Sequence, residues 1–327
     1  MIADQQRILG VSPAIDRLRA YLPKVARSPA TVLITGETGT GKERVAQAIH
    51  ALSPRARGPF VGLNCAALPD ALIESELFGH ARGAFTGAHA AQSGQMRAAD
   101  RGTLFLDEIG ELPPCAQAKL LRAIECREVR PVGGCSAVPL DIRIVAATNQ
   151  TLETMVASGR FRSDLYYRLN VARLELPPLR ERVEDVPVLL DALVAELNDR
   201  EGQRVGAPDP ELLACLLAHR WPGNVRELRN LAEALFIDPP RGAIRFENLP
   251  PAFARLLEPH RRVACNERER LIAALNRTQW NKAEAARALN WSRMTLYRKL
   301  AQYKVERVTA RSVAVSHQRQ TGVTHPA

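Results

Sequence analysis

The sequence lacks any apolar run close to the ~20 residues that a membrane-spanning helix needs. Its start, Met1-Ile-Ala-Asp-Gln-Gln-Arg, also lacks the basic and then apolar segments of a secretion signal. The 327 residues are 46% hydrophobic and 24% charged, which is typical of a globular protein with two or three domains. We therefore expect a cytoplasmic protein, and we expect no sensory domain before the first motif.

Cysteine is sparse and shows no ligand spacing. The six cysteines form no Cys-x-x-Cys pair and have no companion His cluster, and they stand at positions Cys65, Cys115, Cys126, Cys135, Cys215 and Cys265. This scatter favours reduced thiols over a metal site or a disulfide framework.

The net positive charge is confined to the last quarter of the chain. Residues 251–327 contain 15 Lys and Arg against 5 Asp and Glu, whereas residues 1–250 contain 30 of each. A basic C-terminal segment after a neutral region favours a nucleic-acid-binding domain attached to an enzyme. A solvated basic tail is the alternative for residues 307–327.

A phosphate-binding loop is the strongest motif. The run Thr31-Val-Leu-Ile-Thr predicts a strand, a glycine-rich loop follows, and Lys42 opens a helical pattern to Ala51. Glycines let backbone N–H groups converge on phosphate oxygens, and a lysine here reaches the β- and γ-phosphates of ATP or GTP. The loop comprises Gly36, Glu37, Thr38, Gly39, Thr40, Gly41, Lys42 and Glu43. Glu43 replaces the usual Ser or Thr, so the sequence does not identify the group that would complete the coordination shell of magnesium.

Three later strands are predicted to end in polar groups, at Asn64, at Asp107 with Glu108, and at Thr148 with Asn149. In a P-loop nucleotidase, a magnesium-associated Asp and a water-activating Glu belong at such strand ends. Thr148 and Asn149 are well placed to sense the γ-phosphate. Arg162 and Arg168 lie six positions apart beside a predicted helix end, where arginine can stabilise a transferring phosphoryl group.

An unusual loop separates the second and third strands. Gly83 and Gly87 predict a tight loop, yet the centre of this loop is the apolar Phe85 with Thr86. An exposed phenylalanine at a loop tip favours contact with a partner. The alternative is that Phe85 folds back into the core.

The second half of the chain is predicted to be helical. Residues 185–236 show three helical patterns and no strand, and the third opens at Trp221-Pro-Gly-Asn-Val-Arg226, where Arg226 can reach back over a nucleotide. Five prolines in residues 238–262 predict a linker.

Three short helices then predict a helix-turn-helix. They cover residues 266–276, 282–289 and 293–303, with Asn290 at the turn in a left-handed conformation. Leu296 and Leu300 are expected to pack inward, and Trp280 and Trp291 to belong to the core. The candidate DNA contacts are Ser292, Arg293, Thr295, Arg298 and Lys299.

The expected fold is α/β, with a parallel sheet, a helical lid and a small all-α helix-turn-helix domain. We assign residues 1–170 to the ATPase subdomain, 171–238 to the lid, 239–264 to a linker, 265–307 to the DNA-binding domain and 308–327 to a disordered tail.

Together these motifs resemble the sigma-54-dependent transcriptional activators, or bacterial enhancer-binding proteins, of the AAA+ superfamily with a Fis-like helix-turn-helix. The resemblance covers roughly residues 8–305. Its most specific element is the loop Gly83-Ala-Phe-Thr-Gly-Ala88, by which this family engages sigma-54. Ser75-Glu-Leu-Phe-Gly79, the Walker A form of residues 36–43 and Trp221-Pro-Gly-Asn-Val-Arg-Glu-Leu228 also match. The layout, without a receiver domain, is similar to the phage-shock type of activator.

The resemblance implies a ring, expected to be a hexamer, with ATP and Mg²⁺ between subunits. It implies that Lys42 holds phosphates, Asp107 serves magnesium through water and Glu108 polarises the attacking water. Asn64 would be a switch for Glu108, Thr148 and Asn149 the first sensor, Arg226 the second, and Arg162 and Arg168 the fingers for a neighbour's ATP. The tip residues would contact sigma-54 RNA polymerase, residues 265–307 would bind upstream double-stranded DNA, and a separate protein would regulate in trans.

Two alternatives stay open. The first is a DNA-binding regulator of the same ancestry that uses nucleotide only for assembly, which the intact loop 83–88 disfavours. The second is an AAA+ motor of replication, recombination or proteolysis, which has no reason to carry the Phe85 loop. A plain P-loop kinase leaves the lid and the paired arginines unexplained.

Overall fold

The computed structural model describes residues 8–84, 89–303 and 305, and at residues 263–266 it describes the backbone alone. The described residues up to Glu196, together with Arg220–Glu233, form one compact unit. Leu197–His219 and the described residues from Ala234 onward form the other. Among the helices of these described ranges, none combines the length and the apolar character needed to cross a membrane.

The first part of the chain alternates strands and helices. In chain order these are α1 (Pro13–Arg27), β1 (Val32–Thr35), α2 (Lys42–Ala51), β2 (Phe60–Asn64), α3 (Asp70–Phe78), β3 (Gly79–His80), β4 (Gln92–Ser93), α4 (Gln95–Ala98), β5 (Thr103–Asp107), α5 (Pro114–Cys126), β6 (Glu128–Val129), β7 (Val138–Pro139), β8 (Arg143–Thr148), α6 (Leu152–Ala157), α7 (Ser163–Leu169) and β9 (Ala172–Glu175). The strands predicted at residues 31–35, 103–107 and 142–148 and the helix predicted at 42–51 are confirmed within a residue or two.

Five of these strands form one parallel sheet in the order β2-β5-β8-β1-β9. All six residues of β8 are buried, because apolar layers cover both faces of the sheet. On one face α1 and α2 pack through Ile15, Leu22 and Ile49. On the other face α3, α5 and α7 pack through residues such as Leu77 and Leu120. The carboxyl ends of β1, β5 and β8 therefore meet at one edge, where ligands bind in open α/β sheets.

The rest of the chain is mostly helical. Its elements are α8 (Asp185–Glu201), β10 (Val205–Pro208), α9 (Pro210–Ala218), α10 (Asn224–Leu235), β11 (Gly242–Ile244), α11 (Pro251–Arg277), α12 (Lys282–Ala288) and α13 (Arg293–Gln302). The expectation that residues 185–236 contain no strand is wrong, since β10 pairs in parallel with β11. Asn198 holds β10 in place, because its side chain bonds both the N–H and the C=O of Val205.

The expected linker of residues 239–264 is also not free of helix. α11 begins at Pro251 and continues through Pro259 to Arg277, so the assigned start of the DNA-binding domain at residue 265 falls inside one helix. Proline was taken as a sign of a linker, but Pro251 stands in the first turn of α11, where its missing N–H has no intrahelical partner to lose.

The helix-turn-helix prediction is confirmed in its elements. Leu296 and Leu300 are buried in a cluster with Leu271 and Ala285, and Trp280 and Trp291 pack against it. Asn290 has φ 54°, the left-handed turn conformation expected of it. The predicted tail, residues 308–327, lies outside the described residues.

Candidate functional site

The P-loop connects β1 to α2 at the ligand-binding edge of the sheet. Gly41 caps α2 with φ 104° and offers no side chain to the helix N-terminus. A Cβ at Gly41 would meet nothing within 4 Å, so the space before the helix is open. The first N–H groups of an α-helix have no intrahelical partner and attract anions, so this geometry fits a phosphate chain.

Lys42 is the centre of the site. Its side chain is only 6% exposed, and its Nζ donates to the carbonyl oxygens of Gly36 at 3.0 Å and Glu37 at 3.4 Å. The same Nζ lies 3.3 Å from Oε1 of Glu108. The lysine that can hold phosphates is thus paired with the carboxylate that can activate water.

β5 ends at Asp107, and Glu108 follows it in a left-handed conformation. Glu108 has φ 51°, and its N–H donates to Oδ1 of Asp107 at 3.1 Å. Burial raises the pKa of Asp107 above its ordinary value, the Glu108 carboxylate raises it further, and Lys42 partly offsets both. Two adjacent carboxylates supply the hard oxygen ligands that Mg²⁺ prefers.

The end of β8 joins this group through Asn149. The Asn149 N–H donates to Oε2 of Glu108 at 3.0 Å, and its Nδ2 donates to Oγ1 of Thr38 at 2.9 Å. Thr148 points elsewhere, because it is fully buried and its hydroxyl accepts the Gln150 N–H at 3.0 Å. The structure therefore brings Asn149, but not the Thr148 side chain, to the P-loop.

Two expected site residues have other partners. The Asn64 Oδ1 accepts the Ala66 N–H at 2.9 Å at the start of a 3-10 helix, and no hydrogen bond links Asn64 to Glu108 in the described chain. Glu43 accepts from Gln47 one turn along α2 at 3.2 Å. Asn64 nevertheless stands beside Asp107 in the strand register.

The three predicted arginines are exposed. Arg162 forms two hydrogen bonds with Asp164, at 3.1 and 2.8 Å, and Arg168 lies on the exposed side of α7. Arg226 contacts the P-loop through its backbone, whose N–H lies 3.3 Å from the Gly39 oxygen. A cleft of about 750 Å³ lies beside the start of the P-loop, between α1 and residues 173–181.

The base of the unusual loop is ordered by short strands. β3 pairs with β4, the Ala81 N–H donates to Val132, and Ala84 bonds back to Ala81. Phe85, Thr86, Gly87 and Ala88 lie outside the described residues.

α13 presents a mixed surface. Ser292 caps it, Thr295 bonds Ser292, and Arg293 and Arg298 are exposed, as expected. The outward placement of Lys299 is wrong, because its Nζ donates to Glu267 on α11 at 2.7 Å. The Tyr303 hydroxyl shares that carboxylate at 2.6 Å.

Several exposed or site-lining residues were not predicted from the sequence. Met294 and Tyr297 are 79% and 53% exposed on α13. Their exposure could have been predicted, because neither residue lies on the inward face of the helix that carries Leu296 and Leu300. Arg180 and Asn224, which contact Glu37 from distant parts of the chain, were also not predicted.

The fold and site define a P-loop nucleotide-binding protein with a helix-turn-helix. Residues 8–175 match the sigma-54 interaction domain, residues 180–264 the AAA+ ATPase lid domain, and residues 266–303 the Fis family of bacterial regulatory proteins. Because the first match spans half of the chain, the protein belongs to the sigma-54 interaction domain family.

Curated relatives agree with this assignment. The chain is 47% identical over 305 residues to the Nif-specific regulatory protein of Azotobacter vinelandii, covering 90% of this chain and 58% of that one. It is 46% identical over 308 residues to the transcriptional regulatory protein ZraR of Escherichia coli K12, covering 91% and 69%. This chain thus spans 58% of the length of the first relative and 69% of the second.

Solved structures show the same fold. NtrX from Brucella abortus in complex with ATP superposes with a TM-score of 0.71 at 35% identity, covering 91% of this chain and 70% of that one. The NtrX complex with ADP gives a TM-score of 0.69 at 36% identity, covering 93% and 70%.

Proposed function

We propose that this protein is a sigma-54-dependent transcriptional activator, which binds upstream DNA and uses ATP hydrolysis to convert closed promoter complexes into open ones. The observation that carries the proposal is the meeting of Lys42, Glu108 and Asn149 at the P-loop of a sigma-54 interaction domain. The relatives named regulatory proteins and the ATP-bound relative support it.

In the proposed site, residues 36–43 hold the ATP phosphates, with Lys42 as the fixed cation. Asp107 would hold Mg²⁺ through a bound water, and the metal would supply charge neutralisation at the phosphates. Glu108 orients and deprotonates the attacking water, while Asn149 keeps the Glu108 carboxylate in position. The side chains of Thr148 and Asn64 cap local turns, so in this scheme both residues act through neighbouring backbone.

A ring of subunits, expected to be a hexamer, completes the proposed site. Arg162 and Arg168 stand exposed on and beside α7, and arginine supplied by a neighbour can stabilise charge on the transferring phosphoryl group. Arg226 serves as the second sensor from the start of α10. Arg162 must exchange Asp164 for phosphate when the ring forms.

The proposed sigma-54 contact is the loop Gly83-Ala-Phe-Thr-Gly-Ala88, with Phe85 and Thr86 at its tip. Its paired base, β3 with β4, gives the loop a fixed point of attachment to the ATPase unit. Hydrolysis that shifts this base would move the tip against sigma-54 RNA polymerase.

For DNA, we propose that α13 enters the major groove. Arg293 and Arg298 supply contacts to phosphates or guanine, and the exposed Met294 and Tyr297 supply apolar contacts of the kind that thymine methyl groups make. The trigger is proposed to be a separate regulatory protein acting in trans.

The test is open-complex formation on a sigma-54 promoter by the purified full chain, with ATP and with a non-hydrolysable analogue. We expect opening only with ATP. ATPase activity in an assembled ring without promoter opening would instead favour a regulator that uses nucleotide for assembly.

Thr86→Ala tests the contact loop itself. We expect this variant to keep ATP hydrolysis and DNA binding but to lose promoter opening, because only the tip is altered. A Thr86→Ala variant that still opens promoters would remove the loop from the coupling role.

A further inference from the structure

Four consecutive P-loop residues are held from outside by two segments remote in sequence. After β9, Arg180 donates to both carboxylate oxygens of Glu37, at 2.8 and 2.5 Å. Arg182, which is 3% exposed, donates to the Thr40 oxygen at 2.9 Å and lies 3.9 Å from the fully buried Asp185. We call residues 179–182 and 223–226 the outer clamp.

Asn224 connects the two segments of the outer clamp to the loop. It is fully buried, its Oδ1 accepts the Leu179 N–H at 2.7 Å, and its Nδ2 donates to Glu37 Oε2 at 3.2 Å and to the Thr38 oxygen at 3.0 Å. Its φ of 53° is a left-handed conformation that asparagine tolerates better than most residues. Hydrogen bonds from Arg180 and Asn224 lower the pKa of Glu37 to about 2, so this carboxylate stays charged.

The backbone of the outer clamp comes equally close. The Gly39 oxygen accepts the N–H groups of Val225 at 2.9 Å and Arg226 at 3.3 Å. A Cβ at Gly39, which has φ +80°, would collide with the Gly223 carbonyl oxygen. The glycine is therefore needed for the clamp as well as for the loop.

These contacts fix the direction of peptide groups. In a planar trans peptide the N–H of one residue points opposite to the C=O of the residue before it. Because the Thr38 and Thr40 oxygens are bound by the outer clamp, the Gly39 and Gly41 N–H groups must point away from it. A loop fixed in this way has already lost much of its backbone freedom, so phosphate binding carries a smaller cost in conformational entropy.

We propose that Asn224 is a positioning residue for nucleotide binding, which acts through Glu37 and the P-loop backbone and touches no substrate atom itself. The proposal deepens the proposed ATPase function and rests on it. Arg180 and Glu37 are its partners, and the three side chains work as a unit.

Asn224→Asp is the sharpest test because it keeps the shape, the tolerance of positive φ and the acceptor for Leu179. It replaces the donor to Glu37 and Thr38 by a second carboxylate. We expect KM for ATP to rise about tenfold while kcat changes less than about threefold, since the loss is in binding. The affinity for a fluorescent ATP analogue should fall in parallel.

Rescue separates positioning from a general loss of structure. Adding Glu37→Gln to Asn224→Asp removes the repulsion between the two carboxylates and restores their hydrogen bond with the roles exchanged, so the double variant should recover part of the loss in KM. Additive losses in the double variant would overturn the proposal, as would an unchanged KM in Asn224→Asp.

Two controls keep the result interpretable. Arg180→Ala breaks the same anchor from an exposed position, so it should raise KM and lower the melting temperature only by the small contribution of an exposed ion pair, even if Asn224→Asp folds poorly. Asn248→Asp, in the other compact unit, keeps its bond to the Arg245 N–H and should change neither constant. A wild type that binds the analogue without hydrolysing ATP would contradict the proposed function, whereas the binding series would still test the clamp.

Discussion

Replacing Glu108 by Gln should slow ATP turnover and at the same time tighten ATP binding. The Lys42 ammonium lies 3.3 Å from the Glu108 carboxylate, with side-chain exposures of 6% and 16%. At that separation the attraction is about 5 kcal/mol for an effective dielectric of 20. A phosphate must compete for the same ammonium. Desolvation and the remaining hydrogen bonds of Lys42 offset most of the attraction between Lys42 and Glu108. We take roughly 1–2 kcal/mol as the net competition, which corresponds to about 5–30-fold in affinity.

The expected loss of turnover is about 10²–10⁴-fold, the usual contribution of a general base. Equilibrium binding of a fluorescent ATP analogue and steady-state ATPase assays measure the two effects separately. Glu111→Gln is the matched control, because Glu111 follows the same strand but bonds Gln150 and should alter neither quantity. If Glu108→Gln binds ATP no more tightly than the wild type, the Lys42 pair does not compete with phosphate. If it retains most of its hydrolysis, Glu108 is not the base.

Two other predictions use side chains away from the P-loop. Burial raises the pKa of the Cys65 thiol to about 12, so alkylation at pH 8 followed by peptide mass mapping should label the exposed Cys126 and leave Cys65 intact until the protein unfolds. Arg298→Ala should reduce the slope of log affinity for DNA against log salt by roughly 0.9, the contribution of one phosphate contact. Lys299→Ala should instead lower the melting temperature and leave that slope unchanged, because Lys299 pairs with Glu267. A changed slope would mean that Lys299 contacts DNA.

The sheet and the P-loop were predictable because their signals are local. A strand buried on both faces reads as a continuous apolar run, and the glycines, Lys42 and the start of α2 are adjacent in sequence. Parallel strands then bring Asp107, Glu108 and Asn149 to one edge, so their proximity followed from the order of elements alone.

What the sequence did not reveal depends on long-range or competing contacts. Glu37 meets Arg180 and Asn224 across 143 and 187 positions, and no periodicity encodes such a pairing. Asn64 was assigned to Glu108, but a nearer backbone N–H satisfies its side chain, a competition typical of asparagine. Lys299 was placed outward by helical spacing, which cannot detect Glu267 on the preceding helix.

For Asp107, the cause of the pKa shift predicts whether removing the charge raises or lowers the stability of the fold. Its pKa is raised in the folded protein, chiefly by burial, so the folded state binds a proton more readily than the unfolded chain. The stability contributed by this group is therefore present at low pH and is lost as pH rises through the folded pKa. Asn keeps an acceptor for the Glu108 N–H but carries no charge.

Asp107→Asn should accordingly raise the melting temperature at pH 7.5 in a buffer with EDTA and without nucleotide, and the gain should shrink as pH falls and the wild-type carboxyl takes up its proton. Asp141→Asn is the control of opposite sign. Hydrogen bonding from Arg55 lowers the pKa of Asp141, so its removal should cost stability at pH 7.5, and that loss should fade as pH falls. A lower melting temperature for Asp107→Asn at pH 7.5 would mean that attraction to Lys42 outweighs burial, and that the Asp107 carboxylate stabilises the folded site.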